Sequence, residues 1–122
     1  MDFNSILIGS EHADRLVEYY TRLFGEPVMS EGGYTGWKLG SGWVMVGPHS
    51  EVMGSNAQPG RLIWNIETSD VRADFERFTA AGATVVAEPY RFEGSDSLIA
   101  TLSDPDGNYF QLVSPIDPEV GG

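Results

Sequence analysis

The sequence predicts an α+β fold made of two tandem βαβββ modules. Three observations predict it. Each half of the chain reads as one strand, one helix and three further extended pieces. Gly25 and Gly82 stop the two helices at matching places. The turn Asp104-Pro105-Asp106-Gly107-Asn108 feeds a final alternating strand.

The first half opens with alternation over residues 3–9, with Ile6 and Ile8 on one side and Ser5 and Leu7 on the other. Ser10 can cap the helix that follows, and Glu11 and Asp14 suit its N-terminus. Leu16, Tyr20 and Leu23 share one helical face, with Val17 and Phe24 beside them. Gly25 ends the helix and Pro27 keeps it from resuming. Extended pieces follow at about 28–30, 34–39 and 43–46, separated by Gly32-Gly33 and by Gly40-Ser41-Gly42.

Residues 48–60 are polar and carry Gly54, Pro59 and Gly60, which suggests a linker between module 1 (about 1–47) and module 2 (about 61–114). Leu62, Trp64 and Ile66 then alternate with Ile63, Asn65 and Glu67. Ser69 or Asp70 starts the second helix, whose apolar face is Val71, Phe75 and Phe78. Extended pieces are expected at 84–87, continuing through Tyr90-Arg91-Phe92, then at 98–102 and 109–113. The tail 115–122 is rich in Pro and Gly and is expected to fray.

The 122 residues fit one compact domain, and 41% hydrophobic with 20% charged content is ordinary for a soluble globule. The net charge of −11 argues against nucleic acid, whose phosphates require Lys and Arg. It would concentrate cationic small molecules near the surface. No apolar run is long enough to span a membrane, and no basic-then-apolar leader opens the chain. The chain has no cysteine, hence no disulfide, thiolate metal site or Cys nucleophile. A cytoplasmic location is expected on these grounds.

The strand and helix order, Tyr19-Tyr20, Leu23-Phe24-Gly25, and the Asp104-Pro105-Asp106-Gly107-Asn108 turn before the last strand together resemble the vicinal oxygen chelate superfamily. That group includes glyoxalase I, extradiol dioxygenases and bleomycin- and fosfomycin-resistance proteins. The resemblance covers nearly the whole chain. It implies an open, cup-like mixed barrel with helices outside, a small-molecule ligand in the cup, and a homodimer.

The family's enzymes hold a divalent metal through strand residues of the cup. Counted from the anchors above, the resemblance puts these positions at Ser5, Ile63 and Gln111, with an additional one near Met45. None carries a normal ligand for a divalent metal, and neither do their immediate neighbours. His12 falls at the start of the first helix and His49 in a loop. The family's metal site is therefore expected to be absent, and no cofactor is expected. No nucleophile elbow or phosphate-binding glycine loop is present either. Lys38, the sole lysine, is expected to be an edge or surface charge, with a Schiff-base or anion-binding role open beside it.

Alternation directs Ser5, Leu7, Ile63, Asn65, Tyr109 and Gln111 toward the cup. Trp43 and Met45, with Trp37 and Leu39, join them if their larger faces point inward, and Tyr90 and Phe92 line the rim. Trp37 and Trp43 fit the pocket or the core equally well. Such a mostly apolar, aromatic lining with a few amides suits a small organic ligand. Aromatic faces stack on flat ligands and attract organic cations. The expected function is metal-free binding, with sequestration of an aromatic or cationic antibiotic or secondary metabolite. The alternative is a lyase, isomerase or dioxygenase-like enzyme with non-standard ligands.

Overall fold

A computed structural model describes residues 1–91 and 93–115. The chain divides into two compact units, Met1–Ser55 and Asn56–Gly122. Each carries a strand, a helix and three strands, so the βαβββ repeat is present twice. Each unit has one four-stranded mixed sheet, and neither sheet closes into a barrel.

In the first unit, β1 (Ser5–Ser10) leads into α1 (Ala13–Phe24), followed by β2 (Met29–Glu31), β3 (Tyr34–Leu39) and β4 (Gly42–Pro48). The sheet order is β1-β4-β3-β2, with β1 parallel to β4 and the other pairs antiparallel. The crossover through α1 makes that parallel pair possible. Ser10 does not cap the helix. It is buried at the end of β1, and its Oγ accepts a hydrogen bond from the His12 backbone N–H at 2.9 Å. The helix begins two residues later than Ser10 would place it, with His12 as its N-cap. Gly25 ends it at φ 91°, a conformation that costs a Cβ-bearing residue steric energy.

One face of α1 is buried through Leu16, Tyr19, Tyr20 and Leu23. It packs on β1 and β4. Val44 and Val46 are buried on β4, and Trp37 on β3 joins the same core. The Trp37 ring lies 6.1 Å from Tyr20 and 6.3 Å from Phe24 between centroids. Its Nε1–H donates to the Gly25 carbonyl at 2.9 Å, which satisfies the one polar atom of a buried indole.

In the second unit, β5 (Trp64–Glu67) precedes α2 (Val71–Ala80), then β6 (Thr84–Arg91), β7 (Leu98–Ser103) and β8 (Tyr109–Val113). The order β5-β8-β7-β6 repeats that of the first sheet, with β5 parallel to β8. The β5 strand is shorter than the alternation suggests. A 3₁₀ turn at Pro59–Arg61 comes first, and Leu62, expected to share a face with Trp64, is 83% exposed. Asp70 caps α2, its carboxylate accepting from the Ala73 N–H at 3.0 Å. The helix packs on β6, β7 and β8. Beneath it lie Ala100, Leu102, Phe110 and Leu112, all buried. Trp64 stacks on Phe110 at 5.2 Å, and Phe78 of α2 reaches the same ring at 6.4 Å.

The residues expected to form a linker are held at both ends. His49 and Val52 lie against Gly9 in the first unit, and the Gly54 N–H donates to Glu11 Oε1 at 3.3 Å. In the second, Asn56 donates through its backbone to the Asp106 carbonyl at 2.8 Å and through its side chain to Asn108 Oδ1 at 3.0 Å. Phe92 and the tail from residue 116 lie outside the described residues. No helix among the described residues is long and apolar enough to cross a membrane.

Candidate functional site

Each sheet has one face under its helix and one face free of it, and register assigns the side chains. In the first sheet, Ser5 pairs with Trp43 and Leu7 with Met45 across β1 and β4. Across β3 and β4, Lys38 pairs with Trp43 and Gly36 with Met45. Paired residues point the same way. Ser5, Leu7, Trp43, Met45 and Lys38 therefore share the helix-free face.

Trp37 does not belong to that set. It pairs with Val44, which is buried under α1, so Trp37 and Leu39 occupy the helix side. The cause is the turn between β3 and β4. Leu39 pairs directly with Gly42, leaving a two-residue turn, Gly40-Ser41. A two-residue turn puts odd-numbered β3 residues opposite even-numbered β4 residues. Trp37 and Trp43 thus fall on opposite faces, and the question left open between pocket and core resolves to core for Trp37.

Bare backbone shapes the rest of this face. A Cβ on Gly36 would meet Met45 Sδ at 2.7 Å and Met29 Cε at 3.4 Å, so two methionines lean over it. A Cβ on Gly47 would run into the Tyr34 ring, and one on Gly9 would meet His49 Cβ at 2.9 Å. Tyr34, His49 and Val52 thus cover the Gly9–Gly47 end. The open part is the row Ser5–Trp43–Lys38 and the row Leu7–Met45–Gly36. Leu7 is 55% exposed there, although it sits in the middle of a strand.

In the second sheet, Asn65 pairs with Gln111, and Gln111 with Thr101. These three form one polar row on the helix-free face, opposite Trp64, Phe110 and Leu112. Gln111 Nε2 donates to Thr101 Oγ1 at 2.9 Å, and Thr101 is 6% exposed. This bond orients the Gln111 amide. Sequence reasoning missed Thr101, because a threonine in an apolar strand carries no signal until its partner strand is known. Tyr109 pairs with Ser103 on the same face, and Tyr90 pairs with Ile99. Tyr90 is 47% exposed and Ile63, just before β5, is 37% exposed.

Divalent metals of this superfamily call for imidazole and carboxylate donors. The positions where the resemblance expects them carry a hydroxyl, a hydrocarbon, a thioether and an amide, in Ser5, Ile63, Met45 and Gln111. Among the described residues, no group of three or more His, Cys, Asp or Glu side chains is placed to hold a metal ion. The residues do not fit the group, and no chemistry is assigned through it. The buried acids Asp104 and Asp106 belong to the turn before β8. Asp104 Oδ1 accepts from the backbone N–H groups of Asp106 and Asn108 at 2.9 and 3.0 Å.

The family model for the glyoxalase-like domain matches residues 5–113. Lactoylglutathione lyase GLX1 of Arabidopsis thaliana is 29% identical over 111 residues, an alignment covering 82% of this chain and 39% of that protein. The chain thus spans about two-fifths of that relative's length. Among solved structures, a glyoxalase-related enzyme from Fulvimarina pelagi superposes with a TM-score of 0.75 at 17% identity, covering 97% of this chain and 94% of that one. A glyoxalase/bleomycin resistance protein/dioxygenase family enzyme from Burkholderia phytofirmans PsJN gives 0.74 at 20% identity, with 95% and 100% coverage. At such identities the structural likeness concerns the fold alone.

Proposed function

Since this chain belongs to the glyoxalase-like domain family of the vicinal oxygen chelate superfamily, we propose that it binds a small organic ligand without a metal. It does so through the side chains of its helix-free sheet faces. The observation that carries this reading is the donor set. Where the superfamily's enzymes carry metal ligands, this chain has Ser5, Ile63, Met45 and Gln111. The same faces hold exposed or half-buried apolar and aromatic groups: Leu7, Trp43, Met45, Tyr90 and Tyr109. Aromatic faces of this kind stack on a flat ligand with about 0.5–1.5 kcal/mol beyond area burial. Gln111, oriented by Thr101, offers a hydrogen-bonding group in an otherwise apolar strand. We read the ligand as sequestered and not converted, because among the described residues no three His, Asp or Glu side chains gather at one place.

Kinship with a lactoylglutathione lyase favours a second reading, that of an enzyme. One experiment separates the two. Protein purified without chelators is assayed for bound metal and for lactoylglutathione lyase activity, with added Zn²⁺ and Ni²⁺. The binding reading predicts neither stoichiometric metal nor turnover. Metal-dependent turnover would establish the enzyme.

A further inference from the structure

Resting on the ligand-binding function proposed above, we infer that the ligand carries an anionic group, and that Lys38 with Trp43 and Ser5 recognises it. The ligand class is an aromatic carboxylate. Three side chains lie in one row across β1, β4 and β3, because Ser5 pairs with Trp43 and Trp43 with Lys38. Adjacent strands are about 4.8 Å apart, so the row spans roughly 10 Å, the width of a bicyclic ring system. Each member presents a hydrogen-bond donor: a hydroxyl, an indole N–H and an ammonium.

Among the described residues, none of the three donors has a side-chain hydrogen-bond partner. Trp43 and Lys38 are direct partners in register, yet among the described residues the cations that lie over rings are Arg22 over Tyr19 and Arg77 over Phe78. Arg22, Arg77 and Arg91 each pair with a carboxylate, on Glu18, Asp74 and Asp96. Among the described residues, Lys38 has no carboxylate partner. Its neighbours on the face carry no acid: Gly36 stands two residues before it on β3, and Trp43 and Met45 lie across from it on β4. Lys38 is exposed and Trp43 half-buried, which lets a ligand lie over the indole with its charged end at the ammonium. An aromatic carboxylate matches the row, with its ring on Trp43 and its oxygens on the Lys38 ammonium and the flanking N–H and O–H donors. The ring contact on Trp43 and the charge on Lys38 together favour an anion placed beside a ring over an inorganic anion, which gains only the second.

The test uses three probes that share a ring and differ in charge: naphthoate, naphthamide and naphthylmethylammonium. Each is titrated calorimetrically into the full chain and into Lys38→Gln. Naphthoate is expected to bind about tenfold more tightly than the ammonium probe. Lys38→Gln removes that advantage and leaves naphthamide unchanged, while Lys38→Arg retains it. Equal naphthoate affinity in the wild type and Lys38→Gln, or preference for the ammonium, overturns the anion inference. Saturable naphthamide binding in that case leaves the ligand-binding reading standing. Failure of all three probes to bind overturns both.

Discussion

The Asp104 carboxylate is buried, and both its oxygens accept hydrogen bonds from the turn that it opens. Oδ1 takes the Asp106 and Asn108 N–H groups, and the Asn108 side chain donates to Oδ2 at 3.0 Å. Hydrogen bonds to a charged acceptor contribute about 1.5–3 kcal/mol, and the donors left behind in Asp104→Ala would be unsatisfied. That substitution is expected to destabilise the chain by about 2–4 kcal/mol in urea unfolding. Gln111 poses the opposite case. Gln111→Glu places a carboxylate on β8, but Ser5, Ile63 and Met45 still lack imidazole or carboxylate groups. This variant is expected to bind no stoichiometric Zn²⁺ or Ni²⁺ in calorimetry. Tight binding there would mean that the donor set has been misjudged.

At the scale of elements, the hairpin of β3 and β4 divides two tryptophans between structure and ligand. Trp37→Ala empties the core beneath α1 and should cost about 3–5 kcal/mol. Trp43→Ala, on the open face, should cost about 1 kcal/mol or less while abolishing binding of flat ligands. Chemical unfolding of both variants beside a ligand titration checks the pair. Tyr34 and Gly47 offer a second test. Gly47→Ala drives a methyl into the Tyr34 ring and should destabilise by about 1–3 kcal/mol. Adding Tyr34→Ala should recover part of that loss, a coupling a double-mutant cycle measures. The sequence announced both strands of this hairpin, and β3 begins and ends where the alternation does. Their relative facing was hidden, because it depends on whether the turn holds two residues or three. Counting Gly42 into the turn leaves Trp37 with either face open, and the Leu39–Gly42 pair removes the ambiguity.

Across the whole molecule, repetition made the fold legible. Apolar periodicity marked both helices, and glycines at Gly25 and Gly82 marked their ends, since a positive φ excludes most other residues. What stayed hidden was set by partners distant in sequence. The register shifts within β6 and the Thr101 hydroxyl beneath Gln111 emerge only once strands pair. The net charge of −11 favours a cationic ligand, whereas the aromatic carboxylate inferred above rests on Lys38 beside Trp43. That inference weights local geometry, because a bound ligand touches a few residues while remote surface charges are screened within about 8–10 Å.

The central claim is that this glyoxalase-like chain binds its ligand without a metal. The most direct measurement is a naphthoate titration followed by quenching of tryptophan fluorescence, with and without EDTA. One saturable curve is expected, the same in both and unmoved by added Zn²⁺ or Ni²⁺. Binding that EDTA abolishes and a divalent metal restores would contradict it.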